Sequence, residues 1–300
     1  MELRPQEKSV ENRRLPSWMR KQKQDSEQVL SLKRILREKN LHTVCQSAGC
    51  PNITECFQKP TATFMILGDV CTRQCKFCGV SEGKPTYVDP DEPRHIGETV
   101  HALGLKHVVI TSVTRDDLSD GGAGQFAKTI HAIQQTHPEA TIEALIPDFG
   151  GDKNSLKTVL DAPLHILNHN VETVPRLYKT IRPKADFSRS INILKNAKVL
   201  NPDIITKSGM MVGLGEMMNE MNDVFIALAE AQCDVLTIGQ YLAPSVKHTP
   251  VQEYIHPDQF EQYERMAKEG GLRCVYAGPY VRSSYNAAEV MEAVKETICE

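Results

Sequence analysis

Aromatic residues are scarce in this chain, 6% of 300 residues with a single tryptophan, Trp18. No apolar run approaches the length that crosses a bilayer, so a membrane protein is not expected. The N-terminus has no apolar core of the kind a signal peptide carries, and Glu2, Glu7 and Glu11 sit poorly in an acid-poor transit sequence. An excess of one charge is lacking too. The net charge of −3 argues against general nucleic-acid binding, a local basic patch aside. Low-complexity tracts, long linkers and sequence repeats are also missing. What remains is the composition of a soluble globular protein, 40% hydrophobic and 24% charged. Its length suits one large barrel or two small domains. Nine cysteines without a secretion signal point to a reducing compartment, where thiols serve metals or chemistry rather than disulfides. A cytoplasmic location is expected.

The chain is organised around Cys71-Thr72-Arg73-Gln74-Cys75-Lys76-Phe77-Cys78. The preceding Ala62-Thr63-Phe64-Met65-Ile66-Leu67 reads as a buried strand that Gly68-Asp69 breaks, which puts three thiols in a loop at its carboxyl end. Three thiolates can hold three irons of a four-iron cubane and leave the fourth iron open, where closed clusters take four cysteines. An open metal position is where a substrate or cofactor binds. The same cysteines also suit a zinc site, with His95 or another cysteine as fourth ligand. A second group, Cys45, Cys50 and Cys56, surrounds the break at Gly49-Cys50-Pro51-Asn52. No helix puts these three on one face, so an irregular loop wrapping a cluster is expected. One zinc unit shared by both triplets is the alternative, but six thiols at two spacings fit two cubanes better.

Residues 1–28 read as a polar arm with apolar anchors near Trp18, and 29–39 as a short amphipathic helix through Val29, Leu32, Ile35 and Leu36. From residue 62 the pattern alternates between strand and helix. Strands are expected at 62–67, 106–111, 141–146, 164–168, 203–211 and 234–239. Helices are expected at 95–104, 123–136, 153–160, 173–180, 187–199, 219–231 and 258–269, with an extra strand over 272–277. Short, continuously apolar strands indicate a parallel sheet covered on both faces. Six units are fewer than a full barrel's eight and suit an open (β/α)6 barrel, whose sites gather at the carboxyl ends of the strands.

Polar residues stand where those strands end. The loop Thr111–Gly122 is polar and closes on two glycines, as either a solvated helix cap or a cofactor contact. Asn168, Asn170 and Glu172 can bind a ribose or begin a helix. Lys207 precedes Gly209-Met210-Met211-Val212-Gly213-Leu214-Gly215-Glu216, where glycine lets backbone approach a flat base or merely turns the chain. Ser284, in Arg282-Ser283-Ser284-Tyr285, is placed for a helix N-cap or, less usually, as an iron ligand.

The C-x-x-x-C-x-x-C spacing resembles the radical S-adenosylmethionine (SAM) superfamily, and Gly209–Glu216 fits its G-x-I-x-G-x-x-E pattern. The ordered set of both cysteine triplets, Arg115-Asp116-Asp117-Leu118, Lys207-Ser208-Gly209, Tyr241-Leu242-Ala243-Pro244-Ser245 and Arg282–Tyr285 is similar to the lipoyl synthase family. The resemblance implies a radical SAM partial barrel over 61–245, an N-terminal extension over 1–60 carrying Cys45, Cys50 and Cys56, and a C-terminal extension over 246–300. It implies two [4Fe-4S] clusters. One, on Cys71, Cys75 and Cys78, cleaves SAM; the other, auxiliary, is held by Cys45, Cys50 and Cys56 with Ser284, or next Ser283, as fourth ligand. Asn170, Glu172, Lys207, Gly213 and Glu216 are then cofactor-binding candidates. The implied reaction inserts sulfur at C6 and C8 of an octanoyl group on a lysine of a carrier protein, an E2 lipoyl domain or a glycine-cleavage H protein. An electron donor and cluster-assembly or carrier proteins are implied partners. Asn286, Gly79 and Tyr276–Tyr280 depart from the common pattern without removing a ligand. Cys233, Cys274 and Cys299 are expected to be ordinary thiols, and His107, His165 and His169 packed or hydrogen-bonded. A sulfurtransferase of the same superfamily with another substrate, and a zinc-stabilised binding module, are the alternatives.

Overall fold

The computed structural model describes residues 15–20, 27–39, 41–47, 50–56 and 61–284. The strands are β1 (His42–Thr43), β2 (Thr61–Ile66), β3 (Val70–Cys71), β4 (Ser81–Glu82), β5 (His107–Ser112), β6 (Thr141–Leu145), β7 (Ile166–Asn168), β8 (Ile205–Val212), β9 (Val235–Gln240) and β10 (Cys274–Gly278). The helices are α1 (Glu27–Glu38), α2 (Val44–Ser47), α3 (Ile53–Cys56), α4 (Glu92–Leu103), α5 (Ala123–Thr136), α6 (Lys153–Leu160), α7 (Tyr178–Ile181), α8 (Phe187–Leu200), α9 (Met218–Glu230) and α10 (Pro257–Glu269).

One 8-stranded sheet runs β1-β2-β5-β6-β7-β8-β9-β10. All neighbours are parallel except β1, which pairs antiparallel with β2 through His42 and Met65. The order is linear rather than cyclic, as an open partial barrel requires. Strands from before residue 61 and after residue 245 thus join the same sheet at its two edges.

Alternation along the strands makes two environments. Phe64 and Ile66, Val108 and Ile110, and Ile142 and Ala144 point outward, into a core with Ile96, Phe126, Ile130 and Leu156 from α4, α5 and α6. Full burial of each of the larger of these side chains stabilises by about 1.5–3 kcal/mol. Leu236 and Ile238 do the same against α9 and α10, through Phe225, Phe260 and Ala267. The intervening Thr63, Met65, Val109, Thr111 and Thr237 face inward and line a cavity.

Most expected elements appear within two residues of their boundaries. The exceptions have local causes. Helix 173–180 is absent because Pro175 forces Val174 into extended backbone, ψ 153; a 3-10 turn, Pro175–Leu177, and the single turn of α7 follow. Helix 95–104 starts earlier, at Glu92, because Pro93 suits a first helical turn. It stops at Gly104, whose φ of 58 brings its N–H to the Val100 and His101 carbonyls. The Cys45–Cys56 segment is less irregular than expected, since α2 and α3 each contribute one turn. Among the described residues no helix is long and apolar enough to cross a membrane. The expected cap on a helix from Tyr285, Asn286 and Cys299 lie outside the described residues.

Candidate active site

The loop holding Cys71, Cys75 and Cys78 is fastened from three sides. Leu67 and Gly68 turn the chain sharply after β2, with φ 68 and 88. Arg115 steadies that turn by donating to the Leu67 carbonyl at 3.3 Å while its other arm grips Asp117 at 2.8 Å. Arg73 forks between Asp116 and Asp148, with Nη2 at 2.7 Å from each. Burial would raise the Asp148 carboxyl, yet Arg73 holds it well below its usual range. At the far end, His248 Nε2 lies 3.0 Å from the Cys78 carbonyl. A carbonyl only accepts, so Nε2 is protonated, and Nδ1 takes the Ser245 hydroxyl at 2.9 Å. The polar loop after β5 is therefore a brace for the cysteines, and Asp120 within it caps the Gly122 and Gly124 amides.

The thiols sit in a tuned environment. Cys71 Sγ accepts amide hydrogen bonds from Arg73 at 3.4 Å and Thr114 at 3.3 Å. Burial raises the Cys75 thiol, with Arg182 opposing, and pushes Cys78 up to about 12. Cys45 is raised well above its ordinary value, first by its hydrogen bond with Cys50 and then by burial. Thiols held protonated in this way ionise only when a cation takes the proton's place, as a metal ligand does.

The second triplet is joined to the C-terminal segment. Asn52 Nδ2 donates to the Tyr280 carbonyl at 2.6 Å, and Arg282 stands near enough to Cys50 to feel its charge. The segment lies flat on β9, because a Cβ on Gly239 would fall 2.0 Å from the Val281 carbonyl oxygen. Ser283 Oγ accepts from Asn170 Nδ2 at 2.8 Å, while no hydrogen bond engages the Ser284 hydroxyl among the described residues.

One cavity of about 720 Å³ is lined by all six cysteines, by Ser283 and Ser284, and by Asn170 and Glu172. Much of the remaining wall is apolar, including Met65, Val109, Leu145, Met211, Leu242 and Val251. Four buried polar atoms of lining residues lack a partner among the described residues: Ser112 Oγ, His169 Nε2, Asn170 Oδ1 and Arg182 Nε. Buried polar atoms are ordinarily satisfied, so this cluster marks where a polar ligand belongs. Glu172 adds backbone strain, at φ 65. Burial raises its carboxyl, with Arg182 and Asn170 opposing.

Among the described residues no three His, Cys, Asp or Glu side chains converge as one metal ion requires. A single zinc draws its thiolates to within about 4 Å of each other, whereas a cubane gives each its own iron. His95 lies on α4 beside Arg94 and is not among the lining residues.

Three expected cofactor residues stand elsewhere. Lys207 is 1% exposed and does not line the cavity. Its ammonium is 3.1 Å from Glu143 Oε1 in the barrel interior, with His107 and Asn168 on the same carboxylate. Burial alone would raise Glu143, but Lys207, His107 and Asn168 bring it down to about 2. Its contribution to stability is thus complete above the unfolded value of 4.5 and is lost as pH falls toward 2. Glu143→Gln leaves the Lys207 charge buried and unpaired, and should cost about 3–5 kcal/mol in denaturant unfolding. A double change, Glu143→Gln with Lys207→Met, should recover most of that; failure to recover would mean the pair is not what holds this layer. Glu216 folds back onto the Gly213 and Leu214 amides at 3.0 and 2.9 Å. Gly213 is required because a Cβ would meet Gln240 Nε2 at 2.3 Å and the Glu253 carbonyl oxygen at 2.4 Å. Both shape the turn after β8 rather than the cavity wall.

Sequence reasoning missed Arg73, Asp148, Arg182 and His248, and gave no role to Arg282 within its motif. Arg73, inside the cysteine motif, is the one a search for unexplained charge would find. Cys233 and Cys274 are buried, as ordinary core thiols are.

Residues 65–228 match the model of the radical SAM superfamily. The chain is 52% identical to the lipoyl synthase of Caldanaerobacter subterraneus, over 91% of this chain and 96% of the relative. It is also 52% identical to the lipoyl synthase of Caldicellulosiruptor saccharolyticus, over 93% and 98%. Among solved structures, methylornithine synthase aligns at TM-score 0.53 and 13% identity, over 79% of this chain and 81% of that one. A maturase of the [FeFe]-hydrogenase aligns at TM-score 0.54 and 12% identity, over 90% and 75%. At such identities the structures speak for the fold alone.

Proposed function

Since the chain belongs to the lipoyl synthase family of the radical SAM superfamily, we propose that the cavity lined by both cysteine triplets is where sulfur is inserted into a carrier-bound octanoyl chain. The activity is SAM-dependent insertion of two sulfur atoms, at C6 and C8 of an octanoyl group on a carrier-protein lysine. The observation that carries the site assignment is that both cysteine triplets line one cavity. SAM on one [4Fe-4S] cluster supplies a radical able to break an unactivated C–H bond, and a second [4Fe-4S] cluster supplies sulfur.

The chain's own residues do the positioning. Cys71, Cys75 and Cys78 hold the SAM-binding cluster. Cys45, Cys50, Cys56 and Ser284 hold the auxiliary one. Asn170 and Glu172 bind the nucleoside, with Ser112 and Arg182 beside them, while Lys207, Gly213 and Glu216 support the wall from behind. Met65, Val109, Leu145 and Leu242 offer an octanoyl chain a dry path, which protects a carbon radical from solvent. Ser283 is spent on Asn170, which favours Ser284 as the fourth ligand. An electron donor and proteins that rebuild the auxiliary cluster complete this reading, in the cytoplasm.

The test is anaerobic incubation of the reconstituted protein with SAM, reductant and an octanoyl-lysine peptide, read by mass spectrometry beside metal content. About eight irons per chain and a two-sulfur product are expected. SAM cleavage without sulfur addition favours another substrate, and zinc with little iron ends the enzyme reading.

Ser284 has its own test. Ser284→Cys should keep its iron, because thiolate suits the cluster better than hydroxyl. It should yield less lipoyl product in a single turnover, because a tighter ligand hinders cluster breakdown. Ser284→Ala should lose both iron at that site and product. Wild-type yield from both variants would remove Ser284 from the ligand set.

A further inference from the structure

His169 follows β7 and is 2% exposed. Its Nδ1 stands 2.9 Å from the Ile146 carbonyl oxygen. That oxygen only accepts, so Nδ1 carries the proton and Nε2 a lone pair. Nε2 is buried and has no partner among the described residues, and the residue lines the cavity. Burial, with Arg182 next, lowers the ring's pKa to about 4. The imidazole is thus neutral at physiological pH, and its tautomer is fixed by the backbone. Arg73, Asp148 and Arg182 all act on the ring electrostatically, which puts it on the Cys71–Cys78 side of the cavity.

We propose that His169 Nε2 is a pre-set hydrogen-bond acceptor for an O–H or N–H donor of a molecule bound in the cavity. This rests on the reading of the site given above. Two molecules carry such donors: SAM, with its ribose hydroxyls and amino groups, and the octanoyl-lysine substrate, with its amide N–H. An acceptor that cannot turn into a donor favours either over any ligand that presents only acceptors there.

Two substitutions separate the ring's two ends. Asparagine places its amide nitrogen near Nδ1, keeping the bond to Ile146 and deleting the acceptor. Glutamine reaches the Nε2 position with a carbonyl oxygen, restoring an acceptor. Binding of SAM alone and of an octanoyl-lysine peptide alone is measured on the iron-loaded enzyme, with iron content and melting temperature alongside. His169→Asn should weaken one ligand about tenfold and leave the other, the iron and the melting temperature as in wild type. His169→Gln should recover much of the loss. Weaker SAM identifies the nucleoside or amino acid as donor, and a weaker peptide identifies the amide. A ligand-side measurement stands independently of folding in the variants. Wild-type enzyme is titrated with 2′-deoxy, 3′-deoxy and N-methylated SAM analogues and with the N-methylated peptide amide. Unchanged affinities in His169→Asn, or no loss with any of these analogues, overturn the proposal. A wild-type protein that binds neither SAM nor peptide instead overturns the reading of the site itself.

Discussion

Cys75→Ala is expected to abolish SAM cleavage while the auxiliary cluster still assembles. Cys75 is the middle thiol of a loop that Arg73, Asp116, Asp148 and His248 hold in shape. Removing it therefore takes away a ligand without releasing the loop. Two thiolates do not keep in place a cubane that three would hold. The other triplet belongs to α2, α3 and the turn between them, anchored separately through Asn52 to Tyr280. Iron should fall from about eight to about four per chain, 5′-deoxyadenosine should drop to background, and the melting temperature should barely move. Loss of all the iron would show that the six cysteines serve one shared site.

Cys50→Ala should give the opposite phenotype. Its thiol neighbours Cys45, whose ionisation it already influences, and its charge would be felt by Arg282. Without it the auxiliary cluster loses a corner, while the Cys71 loop and the polar atoms around Asn170 are untouched. The variant should consume SAM, form 5′-deoxyadenosine and return an octanoyl chain without sulfur. About four irons should remain. Sulfur-bearing product from this variant would mean that sulfur comes from somewhere other than the auxiliary cluster.

The parts that were legible in the sequence are those with local signatures. Runs such as Phe64-Met65-Ile66 and Val108-Val109-Ile110 declare buried parallel strands, because few other structures bury so continuous a run. The cysteine triplets stand out as groups because loop spacing and residue type both restrict them, and all six line one cavity. What stayed hidden depends on partners remote in sequence. Arg73 meets Asp148 across 75 positions, and Lys207 meets Glu143 across 64. Nothing in the local pattern separates Lys207 facing a cofactor from Lys207 facing a carboxylate beneath it. Gly213 was legible as a required glycine but not as to cause, since Gln240 and Glu253 come from elsewhere. Pro175 was a local signal, and the expected helix over 173–180 overlooked its effect on Val174.

The bond from Asn52 to Tyr280 joins positions 228 apart. On the proposed ligand set, a cluster held by Cys56 and Ser284 would close nearly the whole barrel into a covalent circle. A cross-link over a loop of that length removes chain entropy worth about 5 kcal/mol from the unfolded state. A cluster so held would also act as a staple, and giving up its sulfur would cost the protein part of its stability. A spent enzyme should melt earlier than a charged one and be cut more readily by proteases near its two ends.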